Sequence, residues 1–323
     1  MRITLGGGGT DLPSYYSLYE GFVLTMGIDK YFYSILKERK DNKIQLISAD
    51  YQIIETIHDL DMSSAKLTIP KVVIEEMGLE KGADIFMSSE VPPGTGLGSS
   101  GSAIVNIIKA LSLFNGLDLD KKKIAEMACF LEIDKMKAPV GKQDQYIAAY
   151  GGIQNLIINK KGHVTVEPLR MPGTSKKELE ENIMIFYTGV SRKSSDILSQ
   201  QSKGSSKTME NLNFIKELGF EIRDALSRGD LSTFGELLNK HWEFKKNLVN
   251  GVSNEKIDAL YNLGLKKGAL GGKLLGAGGG GFLLFYCEHG KESVREEMLT
   301  QGLSELNIKI DNDGVKTILN AYN

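Results

Sequence analysis

Cysteine is scarce in this chain of 323 residues: only Cys129 and Cys287 occur, and they lie far apart in sequence. Neither belongs to a CxxC pair or to a cluster of cysteine and histidine, so the sequence argues against a disulfide framework and against a structural zinc site. This cysteine usage is typical of proteins in a reducing compartment, and we therefore expect a cytoplasmic protein.

Excess charge and long apolar stretches are also lacking. The formal net charge is −2 at pH 7, which gives no electrostatic reason to expect a nucleic-acid or membrane partner. No stretch approaches the roughly 18 apolar residues of a transmembrane helix, and the N-terminus runs from Arg2 into glycines instead of an apolar signal segment. We expect a soluble, unexported chain whose partners are small molecules.

Glycine, by contrast, is abundant, and its 36 residues are concentrated in a few loops. The most informative loop is residues 90–106, EVPPGTGLGSSGSAIVN. Residues 83–89 before it alternate as in a strand, which Pro92 and Pro93 end, and residues 103–114 after it carry apolar residues at helical spacing. A glycine-serine loop that ends at a helix N-terminus offers free N–H groups and a positive dipole end, so it predicts a site for a di- or triphosphate.

Other interpretations of this loop compete. Residues 96–101, GLGSSG, match the dinucleotide-binding fingerprint, and Asp118 lies near the position of its ribose-binding acid. However, residues 116–123 form a polar loop where a Rossmann fold requires a second parallel strand. A Walker P-loop requires Gly-Lys followed by Ser or Thr, and the chain has no such tripeptide. From the loop alone, a structural turn that binds nothing remains open.

Residues 92–103, PPGTGLGSSGSA, resemble the second motif of the GHMP kinases, the small-molecule kinases named for galactokinase, homoserine kinase, mevalonate kinase and phosphomevalonate kinase. Residues 2–11, RITLGGGGTD, are similar to the first motif of that family, and the glycine-rich residues 268–287 are similar to the third. The three motifs occur in the family's order. One departure is that the family usually has a proline and other residues ahead of the first strand, whereas this chain begins one residue before Arg2.

The resemblance implies an α+β fold of two domains with the active site in the cleft between them. An N-terminal α/β domain with a left-handed phosphate-loop unit would span residues 1–175, and a C-terminal ferredoxin-like α+β domain would span residues 176–323. The polar, proline-containing segment 171–182 favours a boundary there. We also expect strands at residues 306–310 and 315–320.

The resemblance further implies roles for individual residues around bound ATP. Asp144 would accept or orient the substrate hydroxyl proton, while Arg2 would keep Asp144 ionised and stabilise the transferring phosphoryl group. Ser100 and Glu132 would hold Mg²⁺ as hard oxygen ligands. The residues implied to bind the nucleotide are Pro93, Gly94, Thr95, Gly96, Leu97, Gly98, Ser99, Ser100 and Gly101. The residues of the third motif implied to close over it are Gly276, Gly278, Gly279 and Gly280.

The resemblance implies a sugar substrate, which the enzyme would phosphorylate at the anomeric O1. RITLGGGGTDLPSYY together with VGKQDQY is most similar to the branch that converts D-glycero-D-manno-heptose 7-phosphate to the 1,7-bisphosphate on the route to GDP-linked heptose, and next to the fucokinase branch. A non-catalytic regulator that binds sugar and ATP is the alternative from another class, and the intact Glu132 and Asp144 argue against it. A merely solvated basic pair competes with a binding role for Arg192 and Lys193. The residues implied to bind the phosphorylated sugar are Gly9, Thr10, Asp11, Asp144, Lys30, Arg192 and Lys193.

Overall fold

The computed structural model describes residues 1–190 and 194–320. The strands, in chain order, are β1 Arg2–Gly6, β2 Gly21–Gly27, β3 Phe32–Glu38, β4 Ile44–Ser48, β5 Ile53–Ile57, β6 Ala83–Ser89, β7 Ile153–Ile158, β8 Val164–Pro168, β9 Ile183–Tyr187, β10 Gly271–Leu274, β11 Phe282–Tyr286 and β12 Ser304–Glu305. The α-helices are α1 Pro13–Tyr19, α2 Thr68–Met77, α3 Ser99–Phe114, α4 Lys121–Cys129, α5 Gln143–Tyr150, α6 Gly173–Asn182, α7 Ser194–Ser202, α8 Ser206–Arg228, α9 Leu231–Lys246, α10 Glu255–Lys266 and α11 Lys291–Thr300.

Within the described ranges the strands form three four-stranded sheets. The first is antiparallel, with the order β1-β2-β7-β8. The second has the order β3-β6-β4-β5, in which β4 and β6 run parallel and the other pairs antiparallel. The third is antiparallel, with the order β10-β11-β9-β12. Helices and mostly antiparallel sheets together confirm the predicted α+β class.

One hydrophobic core joins the first sheet to the third. It contains Leu5 of β1, Ile222 of α8 and Leu284 of β11, all fully buried. Leu97 of the phosphate loop and Leu275 of the third glycine motif belong to the same core. Burying an aliphatic side chain of this size contributes about 1.5–3 kcal/mol, so both glycine-rich loops are anchored to the packed framework.

A second core lies between the second sheet and the helices that follow it. Ile85 of β6, Ile107 of α3 and Ile124 of α4 are among its buried members. The start of α9 is fixed separately, because Asp230 caps it by accepting the Thr233 N–H at 3.1 Å. Helices α3 and α4 are therefore held in place by core packing, and the start of α9 is held by capping.

The C-terminal segment differs from the prediction of strands at 306–310 and 315–320. Pairing ends at β12 apart from a single bridge between Ile310 and Ile28, and the described residues 311–320 contain no strand. Asp311 instead organises a turn, since its carboxylate accepts the N–H groups of Asp313 and Gly314, each at 3.1 Å. The segment thereby returns to the N-terminal sheet. The domain boundary predicted between residues 175 and 176 stays a prediction.

No helix in residues 1–190 and 194–320 combines the length and apolarity needed to cross a bilayer.

Candidate active site

The phosphate loop connects β6 to α3. Gly98 precedes α3 in the left-handed conformation, with φ of 77°, and no side chain caps the helix. The first N–H groups of α3 therefore remain available to a ligand. The positive end of the helix dipole lies at the same terminus. This geometry suits an anion at a helix N-terminus.

A cavity of about 370 Å³ opens beside this loop, which is within the size range of small-molecule sites. The predicted nucleotide-binding residues that line it are Pro93, Gly94, Gly96, Gly98, Ser99 and Ser100. The other three shape the loop. Thr95 Oγ1 donates to the Pro92 carbonyl at 2.8 Å, the Leu97 carbonyl accepts the Arg2 N–H at 3.0 Å, and Gly101 packs against α5.

The third glycine motif packs directly on the phosphate loop. A Cβ on Gly276 would lie 2.5 Å from the Cα of Gly96, so only glycine at this position permits the approach. Gly276 lines the cavity, whereas residues 278–280 do not. Gly279, for example, donates its N–H to the Val252 carbonyl at 2.9 Å and supports the loop. The fold thus brings the second and third motifs together, and of the four glycines predicted to close over the nucleotide, Gly276 lines the cavity.

Arg2 and Asp144 form an ion pair in the cavity lining. Arg2 Nε donates to Asp144 Oδ1 at 2.7 Å, and Arg2 Nη1 donates to the Gly96 carbonyl at 2.6 Å. Arg2 is buried on β1, while the Asp144 side chain, in the first turn of α5, keeps 21% of its surface exposed. Asp144 is therefore oriented by a cation and still accessible, so its carboxylate can accept a hydrogen bond or a proton from a hydroxyl group.

Asp11 joins the first glycine loop to the start of α5. Its Oδ2 accepts the Gln143 N–H at 3.0 Å, and its Oδ1 accepts from Gln143 Nε2 at 3.2 Å. Burial raises the pKa of Asp11, and the Gln143 N–H opposes that rise. Gly9 and Asp11 line the cavity, but Thr10 does not. The Thr10 hydroxyl donates to the Gly7 carbonyl at 2.8 Å, so Thr10 shapes the loop and is not positioned as the predicted substrate contact.

Glu132 lies in a π-helical segment, Phe130–Lys135, that continues α4 without a break. A widened turn of this kind is frequent at functional sites. The Glu132 carboxyl group is buried, hydrogen-bonds with Ser100 and accepts from Gln145 Nε2 at 2.6 Å. The pKa of Glu132 is raised to about 7, mainly by burial and also by the nearby Asp144, while the hydrogen bonds with Ser100 and Gln145 oppose the rise. The structure thus brings the two predicted metal ligands together.

Of the three basic residues predicted for an anionic substrate group, Lys30 is the one that lies within the described residues. Lys30 Nζ lies 3.4 Å from Asp29 Oδ1, and Lys30 is not one of the described residues that line the cavity. Lys30 is therefore not positioned as predicted, because its ammonium group pairs with the neighbouring Asp29 carboxylate. Arg192 and Lys193 lie outside the described residues.

Sequence reasoning missed two groups of cavity residues. An apolar group comes from β3, β6, α2, α3 and the residue before α2, and its members are Phe32, Leu67, Ile69, Pro70, Met87, Ala103 and Ile107. A basic group comes from α9 and β10, and its members are His241, Lys245 and Lys273. The available signals were a lysine inside the otherwise apolar strand β10 and the i, i+4 spacing on α9. Neither signal predicts that α9 and β10 lie side by side, because that contact depends on the tertiary fold.

Profiles of one family match both halves of the chain. The GHMP kinases N terminal domain matches residues 66–152, and the GHMP kinases C terminal domain matches residues 222–303. A D-glycero-alpha-D-manno-heptose 7-phosphate kinase of Campylobacter jejuni is 32% identical over 301 residues, which cover 90% of this chain and 89% of that protein. A galactokinase of Pyrococcus furiosus is 27% identical, with 90% of each chain covered.

Solved structures share the whole fold. A crystal structure of a D-glycero-D-manno-heptose 1-phosphate kinase from Bacteroides thetaiotaomicron is 26% identical and has a TM-score of 0.81, covering 97% of this chain and 95% of that one. A putative sugar kinase from Campylobacter jejuni is 29% identical and also has a TM-score of 0.81, covering 98% and 95%. The chain therefore belongs to the GHMP kinase family. It is an ATP-dependent kinase, as its motifs predict.

Proposed function

We propose that this kinase transfers the γ-phosphoryl group of ATP to the anomeric O1 of D-glycero-D-manno-heptose 7-phosphate and so forms the 1,7-bisphosphate. The observation that carries the proposal is the partly exposed Asp144 carboxylate, held by Arg2 beside the phosphate loop. The choice of sugar is supported by the 32% identity to a kinase named for it.

ATP fits the cavity in two parts. The free N–H groups at the start of α3 and the loop residues that line the cavity suit the triphosphate. The apolar group defined above suits the adenine ring, because a planar heterocycle is held mainly by apolar contact. Gly276, in the C-terminal half of the chain, packs on Gly96 and so covers the phosphate loop.

Mg²⁺ fits the donor set that Ser100 and Glu132 provide. Magnesium is commonly bound by one or two protein oxygens together with substrate phosphates, so two ligands suffice. Glu132 is buried and forms no ion pair within the described ranges, and a divalent cation would offset the cost of ionising it. When bound, the cation would neutralise charge on the transferring phosphoryl group.

The residues of the chain account for the transfer step. Asp144 would hold the O1 hydroxyl in line with the γ-phosphorus and accept its proton as the O1–P bond forms. The bond between the γ-phosphorus and the β,γ-bridging oxygen breaks, and ADP leaves. Arg2 would keep Asp144 ionised and stabilise the charge that spreads over the transferring group.

The names of the two heptose-kinase relatives differ in the position of the phosphate on the sugar. A 1-phosphate has no free hydroxyl at O1, so O1 transfer requires the 7-phosphate as acceptor. A fucokinase-like or other monosaccharide 1-kinase is the alternative substrate choice. It would leave the basic group of the cavity lining, His241, Lys245 and Lys273, without a sugar phosphate to bind.

A substrate panel tests the proposal. ATP turnover should be fastest with heptose 7-phosphate and slow with unphosphorylated heptose, fucose, galactose and mevalonate. Phosphorus NMR of the product should show a new anomeric phosphate beside the unchanged 7-phosphate. Faster turnover of fucose or galactose would overturn the choice of sugar, and turnover of heptose 1-phosphate would overturn the choice of O1.

A further inference from the structure

Three basic side chains from the C-terminal half meet in the lining of the cavity. His241 and Lys245 lie four residues apart on α9, and therefore on one face of that helix, and Lys273 lies on β10, which packs against α9. His241 and Lys273 are each 1% exposed. Lysine rarely occurs buried in this way without a partner for its charge, and the ring nitrogens of a buried histidine normally have a hydrogen-bond partner.

No carboxylate among the described residues pairs with either lysine. Lys245 Nζ donates to the carbonyls of Leu274 and Gly276 at 2.6 and 2.7 Å, and Lys273 Nζ donates to the Leu5 carbonyl at 2.9 Å. An ammonium group has three N–H donors, so Lys245 keeps one and Lys273 keeps two. Both ring nitrogens of His241 are buried with no hydrogen-bond partner in the described structure. Hydrogen-bonding capacity is therefore left over at one place in the cavity, and the two lysines can supply positive charge there when an anion binds.

Burial is the main cause of a lowered pKa in all three groups, and neighbouring cations add to it. Burial, with a smaller contribution from the nearby Arg2, lowers the pKa of Lys245 to about 7. Burial lowers the pKa of Lys273 and that of His241, with Lys245 adding to both effects. An anion bound among the three groups would relieve both the repulsion and the missing hydrogen bonds.

We propose that His241, Lys245 and Lys273 form the subsite that receives the sugar's own phosphate, the one that is not transferred. The inference rests on the proposed function, in which the acceptor is a sugar phosphate. It supplies the cationic pocket that Lys30 does not provide. A phosphate monoester dianion carries negative charge and several oxygens, which would accept the unused N–H groups of these three side chains.

The other phosphate that could reach this subsite is the γ-phosphate of ATP, and the contacts favour the sugar. Lys273 is bonded to Leu5, which leads into the first glycine loop, and that loop carries Gly9 and Asp11. The triphosphate already has the start of α3 and its loop. His241 and Lys273 thus lie beside the loop expected to contact the sugar, whereas Lys245 also reaches the third motif through Gly276.

The sharpest variant is His241→Leu, because it removes a donor without breaking any hydrogen bond recorded for the His241 ring. Losing one hydrogen bond to a charged group should raise the KM for heptose 7-phosphate by about 10-fold or more. The KM for ATP and the kcat/KM for unphosphorylated heptose should stay within about twofold of wild type, since that sugar lacks the group the subsite binds. Lys246→Met is the matched control, as Lys246 lies on the same helix, pairs with Glu243 and does not line the cavity.

Two kinetic results would overturn the inference. An unchanged KM for heptose 7-phosphate in His241→Leu would show that the ring makes no contact with a phosphate. A raised KM for ATP with the sugar KM unchanged would assign the subsite to the γ-phosphate.

Binding separates this inference from the proposed function. With the phosphate loop filled by a non-hydrolysable ATP analogue, inorganic phosphate should raise the melting temperature of wild type, and Lys273→Met should abolish that rise. If wild type does not phosphorylate heptose 7-phosphate but shows this pattern, the proposed substrate is wrong and the phosphate subsite stands. If phosphate raises the melting temperature of Lys273→Met as much as that of wild type, the subsite is wrong even where turnover is found.

Discussion

Replacing Gly101 by alanine should slow catalysis by displacing Asp144. Gly101 lies in the first turn of α3, where that helix packs on α5. A Cβ built on Gly101 would lie 2.6 Å from the Asp144 Cβ and 3.1 Å from the Gln145 backbone nitrogen, while ordinary contact begins at 3.4 Å. The two helices must therefore separate by nearly 1 Å.

The size of the effect follows from that displacement. Misplacing a reacting group by about 1 Å can cost about 100-fold in rate, so kcat should fall by about that factor. Alanine by itself favours a helix over glycine by up to about 1 kcal/mol, which offsets part of an overpacking cost of about 1–3 kcal/mol. We expect a folded protein that is about 1 kcal/mol less stable, with loss of activity out of proportion to loss of stability.

The assay is ADP release with saturating ATP and sugar phosphate, together with urea unfolding. Gly173→Ala is the matched control, because Gly173 begins α6 and a Cβ there would have no atom within 4 Å. Binding of an ATP analogue should be retained in both variants. A Gly101→Ala enzyme with kcat within about twofold of wild type would refute the reasoning, since it would show that the position of Asp144 does not limit the reaction.

Three further changes test other parts of the site. Gly276→Ala should weaken ATP binding by about tenfold or more in calorimetry, because its Cβ would overlap Gly96 at a φ of 67° that L residues rarely adopt; unchanged affinity would contradict the packing of the two loops. Glu132→Gln should raise the Mg²⁺ concentration for half-maximal rate by about tenfold or more, because a charged ligand is lost, and an unchanged requirement would remove Glu132 from the proposed metal site. The folded-state pKa of Lys245 lies below its ordinary value, so its protonation opposes folding and stability is gained as pH rises from about 7 towards 10.5. Urea unfolding of wild type should therefore gain more over that range than Lys245→Met, and parallel pH profiles would contradict this.

The parts of the fold that depend on local sequence were predictable. The strand predicted at residues 83–89 is β6 with the same bounds, because prolines end it and a glycine loop follows. The family, and with it the α+β class, could be inferred because three glycine-rich motifs occur in the family's order. By contrast, α1 was not predicted, although Pro13 at its first position is a helix-start signal.

The parts of the site that depend on long-range contacts could not be predicted. Lys30 was expected to meet an anionic substrate, yet Asp29 beside it takes its ammonium group. The basic group on α9 and β10 forms only when the third sheet packs on the helix, and no spacing in the sequence connects the two. Strands were expected at residues 306–310 and 315–320, but the Asp311 turn between them redirects the chain.

The most direct test of the account compares wild type with Asp144→Asn. In the presence of Mg²⁺ and ATP, phosphorus NMR should show wild type converting heptose 7-phosphate to the 1,7-bisphosphate. The variant should bind an ATP analogue and the sugar phosphate with nearly unchanged affinity, because the neutral isostere keeps the shape of the site, but it should form product at least about 100-fold more slowly without its proton acceptor. A wild-type protein that binds both ligands and transfers nothing, or an Asp144→Asn variant that turns over like wild type, would contradict the central claim that Asp144 is the catalytic centre of a sugar kinase.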